Sequence, residues 1–187
     1  MKTDKTFRTE LLRTFVVDRL PEPLEPKSSH LQIFDNYIHE TSLRLRAVRK
    51  PETKEWTLWL QKRYPEGEHG AEWRIEEIGL TEAEYEQFKP FEGNEIRKNR
   101  YFEEFNGRRF EFDVYLGPLW GLTRAKVRFE SREEMESFVP PSFVVTEVTD
   151  EAYFDDANLV NCRFGDVQAE VERLLGSTRG TVSSAGK

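Results

Sequence analysis

Alternation of apolar and charged residues with a period of two, repeated in one short segment after another, restricts this chain more than any other feature. Successive side chains of a strand point to opposite faces, so the alternation reads as strands. Residues 42–48 (SLRLRAV) put Leu43, Leu45 and Ala47 on one face and Arg44 and Arg46 on the other. Residues 109–116 (RFEFDVYL) oppose Phe110, Phe112 and Val114 to Glu111 and Asp113, and residues 124–130 (RAKVRFE) oppose Ala125, Val127 and Phe129 to Lys126 and Arg128. Further strands fit 7–17, 31–38, 55–63, 71–78, 95–105 and 143–148. Asn106-Gly107 between two alternating runs predicts a hairpin, because that dipeptide accepts the positive φ angles of a type I′ turn.

Helices are fewer. Two are announced by capping boxes, Thr81 with Glu84 and Ser131 with Glu134, in which the side chains at either end satisfy each other's backbone N–H groups. A third fits 165–175, where Val167, Val171, Leu174 and Leu175 fall at helical spacing. The proline-rich stretch LPEPLEPKSS (20–29) must be a loop, and the small, polar end of the chain reads as a disordered tail over 176–187 after a single domain of 1–175.

Composition narrows the function. With 187 residues, 34% charged and 13% aromatic, the chain can bury one sizeable core under a wet surface. A formal charge of −7 without a basic run argues against general nucleic-acid binding. No apolar stretch approaches the roughly 20 residues that cross a bilayer, and the first residues hold no signal-peptide core, so a cytoplasmic protein with no membrane partner is expected. Cys162 is the sole cysteine, which rules out an internal disulfide and a thiolate zinc site; His30, His39 and His69 lie in polar segments and read as ordinary surface residues. Core packing accounts for Trp56, Trp59, Trp73 and Trp120 better than an exposed aromatic patch does.

The polar faces are unusual in what they carry. Arg44 with Arg46, Lys98 with Arg100, Glu111 with Asp113 and Lys126 with Arg128 put long charged side chains at adjacent alternate positions, whereas a solvated face more often mixes in Thr, Ser and Gln. If the sheet curls toward closure, these charges converge on a lumen. There the guanidinium and ammonium groups could grip phosphate oxygens and the carboxylates a hard cation. Mutual neutralisation in a buried polar network stands beside that reading.

The segments IFDNYIHETSLRLRAV (33–48), WTLWLQK (56–62), IRKNRYFEEFNGRRFEFDVYLGPLWGL (96–122) and EVTDEAYFDDANL (147–159) resemble the CYTH superfamily, or triphosphate tunnel metalloenzymes, over roughly residues 8–160. The resemblance implies a sheet-dominated α+β fold: an eight-stranded antiparallel β-barrel forming a tunnel, with a few flanking helices. It also implies glutamates that bind magnesium or manganese opposite basic residues that bind a triphosphate. Family activities include inorganic, thiamine and messenger RNA triphosphatases and one class of adenylate cyclase. Carried over position by position, Arg44, Arg46, Lys98 and Arg100 are phosphate-binding candidates and Glu10, Glu72 and Asp113, with Glu111 beside it, are metal candidates; counting the predicted lumen positions adds Arg74 (where the family has a glutamate), Lys126 and Arg128 to the first set and Glu147 to the second. The departures are pointed. Leu12 and Thr14 stand where the first strand has its second Glu and its Lys, Gln61 replaces a lysine, and Lys126 and Arg128 replace the alternating glutamates of the last barrel strand. Reversing the sign of that wall favours capture of a triphosphate, polyphosphate or phosphorylated nucleotide with weak or no turnover. A metal-dependent triphosphatase or cyclase-like enzyme is the first alternative, and a structural or protein-interaction domain the second.

Overall fold

The computed structural model describes residues 5–66, 70–91 and 93–182, so His69 lies outside the described residues. Nine strands follow the expected alternating segments: β1 (Lys5–Val17), β2 (Leu31–Tyr37), β3 (Leu43–Arg49), β4 (Trp56–Pro65), β5 (Glu72–Leu80), β6 (Asn94–Phe105), β7 (Arg108–Tyr115), β8 (Thr123–Phe129) and β9 (Val144–Glu147). All pair antiparallel in the order β5-β4-β3-β2-β6-β7-β8-β1, and β1 returns to β5, so eight strands close into a barrel. The length of β1 makes closure possible: Lys5 to Leu11 pair with β5, and Leu11 to Val17 pair with β8. Beyond the end of β5, the short β9 pairs with Phe15 to Val17 and stays outside the barrel. The turn between β6 and β7 holds Asn106 at φ 51° and Gly107 at φ 72°, as the dipeptide demands.

The first capping box forms in full, with the Thr81 N–H donating to Glu84, while at the second the Glu134 carboxylate accepts from the Glu130 N–H instead of the Ser131 N–H. Thr81 Oγ1 accepts from the Glu84 N–H ahead of helix α1 (Glu82–Phe88), and Ser131 Oγ accepts from the Glu134 N–H ahead of α2 (Arg132–Ser137). A short helix α3 (Asp156–Leu159), which no periodicity announces, precedes α4 (Phe164–Val182). α4 runs beyond residue 175, where the sequence reading ends the domain; residues 183–187 lie outside the described ones.

Apolar side chains pack at two places, neither of them in the middle of the barrel. On its outer wall, Phe15, Tyr101, Phe110, Phe112, Ala125, Val127 and Phe129 are buried beneath Leu20, Leu24, Met135, Phe138 and Phe143 of the proline-rich loop, α2 and the segment that follows it. At one end, Val16, Ile96, Tyr115 and Leu122 meet Phe154, Leu159 and Val167 of the C-terminal segment, which stoppers the barrel. Gly121 allows that stopper to approach: it sits at φ +110°, and a Cβ there would lie 2.7 Å from the Phe164 ring.

The tryptophans divide. Trp59 and Trp73 are partly buried, but Trp56 and Trp120 are 53% and 69% exposed, which corrects the expectation that all four pack in the core. Trp56 falls on the outer face of β4, where Phe34 and Arg49 lean on its ring.

The outer aromatic layer supplies the apolar burial that a charged lumen cannot. Phe112, wholly buried against Phe105, Phe110 and Phe143, should cost about 3–5 kcal/mol when cut back to Ala. Urea denaturation of Phe112→Ala measures that loss, and a change below about 1 kcal/mol would show that the layer contributes little to stability.

Candidate functional site

Closure turns one face of every barrel strand inward, and the inward residues are mostly charged. From β3 and β2, Asp35 holds Arg46 in a bidentate pair at 2.6 and 2.5 Å and lies 3.6 Å from Arg44. Arg44 also donates to the Gln61 side chain at 2.9 Å and to the Tyr37 hydroxyl at 3.2 Å. Further along the wall, on β6 to β8, Asp113 receives Arg100 in a second bidentate pair at 2.6 and 2.8 Å, with Lys98 at 3.1 Å and Lys126 at 3.5 Å. Burial alone would raise the Asp113 carboxyl, but these cations outweigh it and hold the group well below the ordinary carboxylate range.

Near one mouth, Arg128 on β8 bridges its neighbouring strands, contacting Glu111 on β7 and lying 3.3 Å from Glu10 on β1. Arg8 adds a bond to Glu10 at 3.0 Å and also meets Glu77. Burial opposes ionisation of Glu10, yet Arg128 and Arg8 together bring its carboxyl down to about 2. At the stoppered end, Asp156 from α3 reaches into the barrel to Lys98 at 2.5 Å and to Arg124 and the Tyr115 hydroxyl, while Asp155 takes Arg63 at 2.6 Å.

These side chains close on a central cavity of only about 80 Å³, lined by Glu10, Arg44, Arg46, Arg63, Arg100, Glu111, Lys126, Arg128 and Asp156 with Arg8, Leu12 and Ile75. A cleft of about 500 Å³ shares Arg63 and Lys126 with it and continues past Trp73, Arg124 and Asp155. A recess of about 450 Å³ shares Glu111 and Arg128 and continues past Phe102, Arg108 and Arg109.

Of the phosphate candidates, Arg44, Arg46, Lys98, Arg100, Lys126 and Arg128 do meet here, as do Glu10, Glu111 and Asp113 of the metal candidates. Three do not. Arg74 lies outside the barrel, near Glu66 and Glu76 with its guanidinium over the Phe7 ring; Glu72 pairs with Arg132 of α2; and Glu147, on β9, is held by Arg13 at 2.7 Å. On β5 the face is the reverse of the one expected: Trp73, Ile75 and Glu77 share the inward parity, and Arg63 stacks 3.5 Å above the Trp73 ring. Sequence reasoning passed over Arg8, Asp35, Arg63 and Arg124, although Arg8, Arg63 and Arg124 share strand parity with Glu10, Gln61 and Lys126, which it singled out; on β2, the strand of Asp35, it singled out none. Asp155 and Asp156 come from a segment with no periodicity, so no local pattern marks them.

A divalent ion needs carboxylates free to ligate it. Among the described residues no group of three or more His, Cys, Asp or Glu is placed to hold one, and the lining carboxylates are each engaged by Arg or Lys. The donor set in this arrangement does not fit a metal. It fits an anion better, since among the described lining residues the cations outnumber the carboxylates. The ion pairs also make the barrel acid-sensitive. Glu10, depressed from 4.5 to about 2, contributes stability above pH 4.5 that is lost as the pH falls toward 2. Acid unfolding followed by circular dichroism should therefore be less steep over that interval in Glu10→Gln than in the parent chain, and equal slopes would show that Glu10 does not bear the load.

No protein-family model matches the chain. Over 85 residues it is 32% identical to an inorganic triphosphatase of Nitrosomonas europaea, a match covering 44% of this chain and 56% of that protein, so the chain spans about half the length of this curated relative. The fold matches the crystal structure of the inorganic triphosphatase NE1496 with a TM-score of 0.56 and 25% identity over 81% of this chain and 93% of that one. It also matches a structure described as the hypothetical protein NE1496, with a TM-score of 0.57 and 26% identity over 82% and 99% of the two chains. In sequence and in fold the chain is thus a homologue of an inorganic triphosphatase, and its closed eight-stranded barrel is consistent with the CYTH-like triphosphate tunnel fold.

Proposed function

We propose that the barrel captures a triphosphate-class anion, inorganic tripolyphosphate or the phosphate tail of a nucleotide, with weak or no turnover. One observation carries this reading: cations outnumber carboxylates inside a closed barrel whose outer charge sums to the opposite sign. The gripping groups are Arg44, Arg46, Lys98, Arg100, Lys126 and Arg128, joined by Arg63 and Arg124. Arginine suits the task because its planar fork meets phosphate oxygens in pairs. Lys126 is the least committed of these, having Asp113 at 3.5 Å as its ion-pair partner. Burial, with Lys98 close by, holds its ammonium well below the usual lysine range, and an anion set beside it would favour the charged form. No helix of the described residues is long and apolar enough to cross a membrane.

A second reading, hydrolysis of the same anion, is favoured by the likeness to an inorganic triphosphatase. Release of phosphate from tripolyphosphate that requires magnesium or manganese and disappears in Glu111→Gln would establish it.

Tripolyphosphate at 100 times its dissociation constant should stabilise the protein by about 2.7 kcal/mol in thermal unfolding, and Lys126→Glu should abolish the effect. Absence of any shift with tripolyphosphate, nucleoside triphosphates or long polyphosphate would end the proposal.

A further inference from the structure

The strand order places β8 between β7 and β1, and Arg128 on the middle strand spans from Glu111 to Glu10 on the outer two. Glu111 and Glu10 line the central cavity together, so the guanidinium occupies the space that a divalent ion ligated by both carboxylates would need. Each carboxylate also has a second cation behind it, Arg100 at 2.7 Å from Glu111 and Arg8 at 3.0 Å from Glu10. A metal arriving here would have to displace a resident charge and would then face two more, each repelling it at close range.

Resting on the reading that the lumen takes a phosphate-rich anion, we propose that Arg128 is the barrel's resident cation: it replaces a bridging metal between Glu10 and Glu111, so that the anion binds without any divalent ion. Arg128 suits the role because its side chain is 46% exposed and lines both the central cavity and the adjoining recess, so two of its edges are anchored by carboxylates while the side facing the recess can meet a ligand. A guanidinium cannot lose its charge at physiological pH, which makes the substitution permanent.

Two titrations on the full chain test this. In the first, tripolyphosphate is added in the presence of EDTA and again in excess magnesium. The expectation is binding in EDTA without loss of affinity; a requirement for magnesium, seen as a loss of roughly tenfold or more in EDTA, overturns the proposal. In the second, manganese alone is added and the free ion is followed by electron paramagnetic resonance. The parent chain should leave the free-ion signal unchanged, whereas Arg128→Glu should take up manganese and lose that uptake when Glu111→Gln is added. Manganese uptake by the parent chain that Glu111→Gln abolishes would overturn the resident-cation assignment. Should Arg128→Glu fail to fold, the EDTA comparison and the parent chain's behaviour toward manganese still decide the matter. If tripolyphosphate binds under neither condition, the phosphate reading falls, and the manganese experiment still judges Arg128 separately.

Discussion

Charge pairing inside a closed barrel is the constraint on which the rest of this structure depends. Removing an ion from water costs several kcal/mol even after the protein relaxes, and only close, well-oriented partners offset it. The lumen meets that demand through shared carboxylates. Asp113 alone answers to Arg100, Lys98 and Lys126, from strands on either side of its own, and Asp156 extends the lattice to the C-terminal segment. The pairs therefore tie strands together around the circumference as well as neutralising one another, and the stopper at one end meets the barrel through the Asp156 ion pairs in addition to Phe154 and Leu159.

This arrangement inverts the ordinary division of labour in a small β-protein. The hydrophobic effect acts on the outer wall and at the stoppered end, where Phe110, Phe112 and Phe15 pack beneath a loop and a helix. Inside, direction matters more than area, because a guanidinium serves only if its fork meets an acceptor in plane. A cavity of about 80 Å³ between such groups leaves an entering anion to compete for cations already engaged. Its advantage is multiplicity: one chain of phosphates presents many oxygens at once, where each resident carboxylate presents two.

How far the sequence reveals all this depends on how cleanly each strand alternates. In the middle of β3, β7 and β8 apolar residues alternate cleanly with charged ones (Leu43, Leu45, Ala47; Phe110, Phe112, Val114; Ala125, Val127, Phe129), so the inward charges Arg44, Arg46, Glu111, Asp113, Lys126 and Arg128 follow directly from parity. β5 breaks the rule. Its segment EWRIEEIGL carries charged and apolar residues on both faces, and the inward set is Trp73, Ile75 and Glu77 because the lumen accepts apolar surface where Arg63 stacks on Trp73. Glu72 and Arg74 consequently serve the exterior. The acidic pair Asp155 and Asp156 was illegible for another reason: its place is fixed by the chain's return across the barrel end, a long-range event with no local period.

The sign of the lumen also cannot be inferred from the chain as a whole. A protein of net charge −7 repels anions at a distance, but salt at physiological strength screens exposed charges beyond roughly 8 Å. Within the barrel the separations are shorter than that, so an anion in the central cavity responds to Arg44, Arg46, Arg63, Arg100, Lys126 and Arg128 before it responds to the surface average. Selection follows from the same geometry. Under the proposed reading, a ligand gains only if its charges are as closely spaced as the cations around the cavity, which would favour linked phosphates over scattered carboxylates.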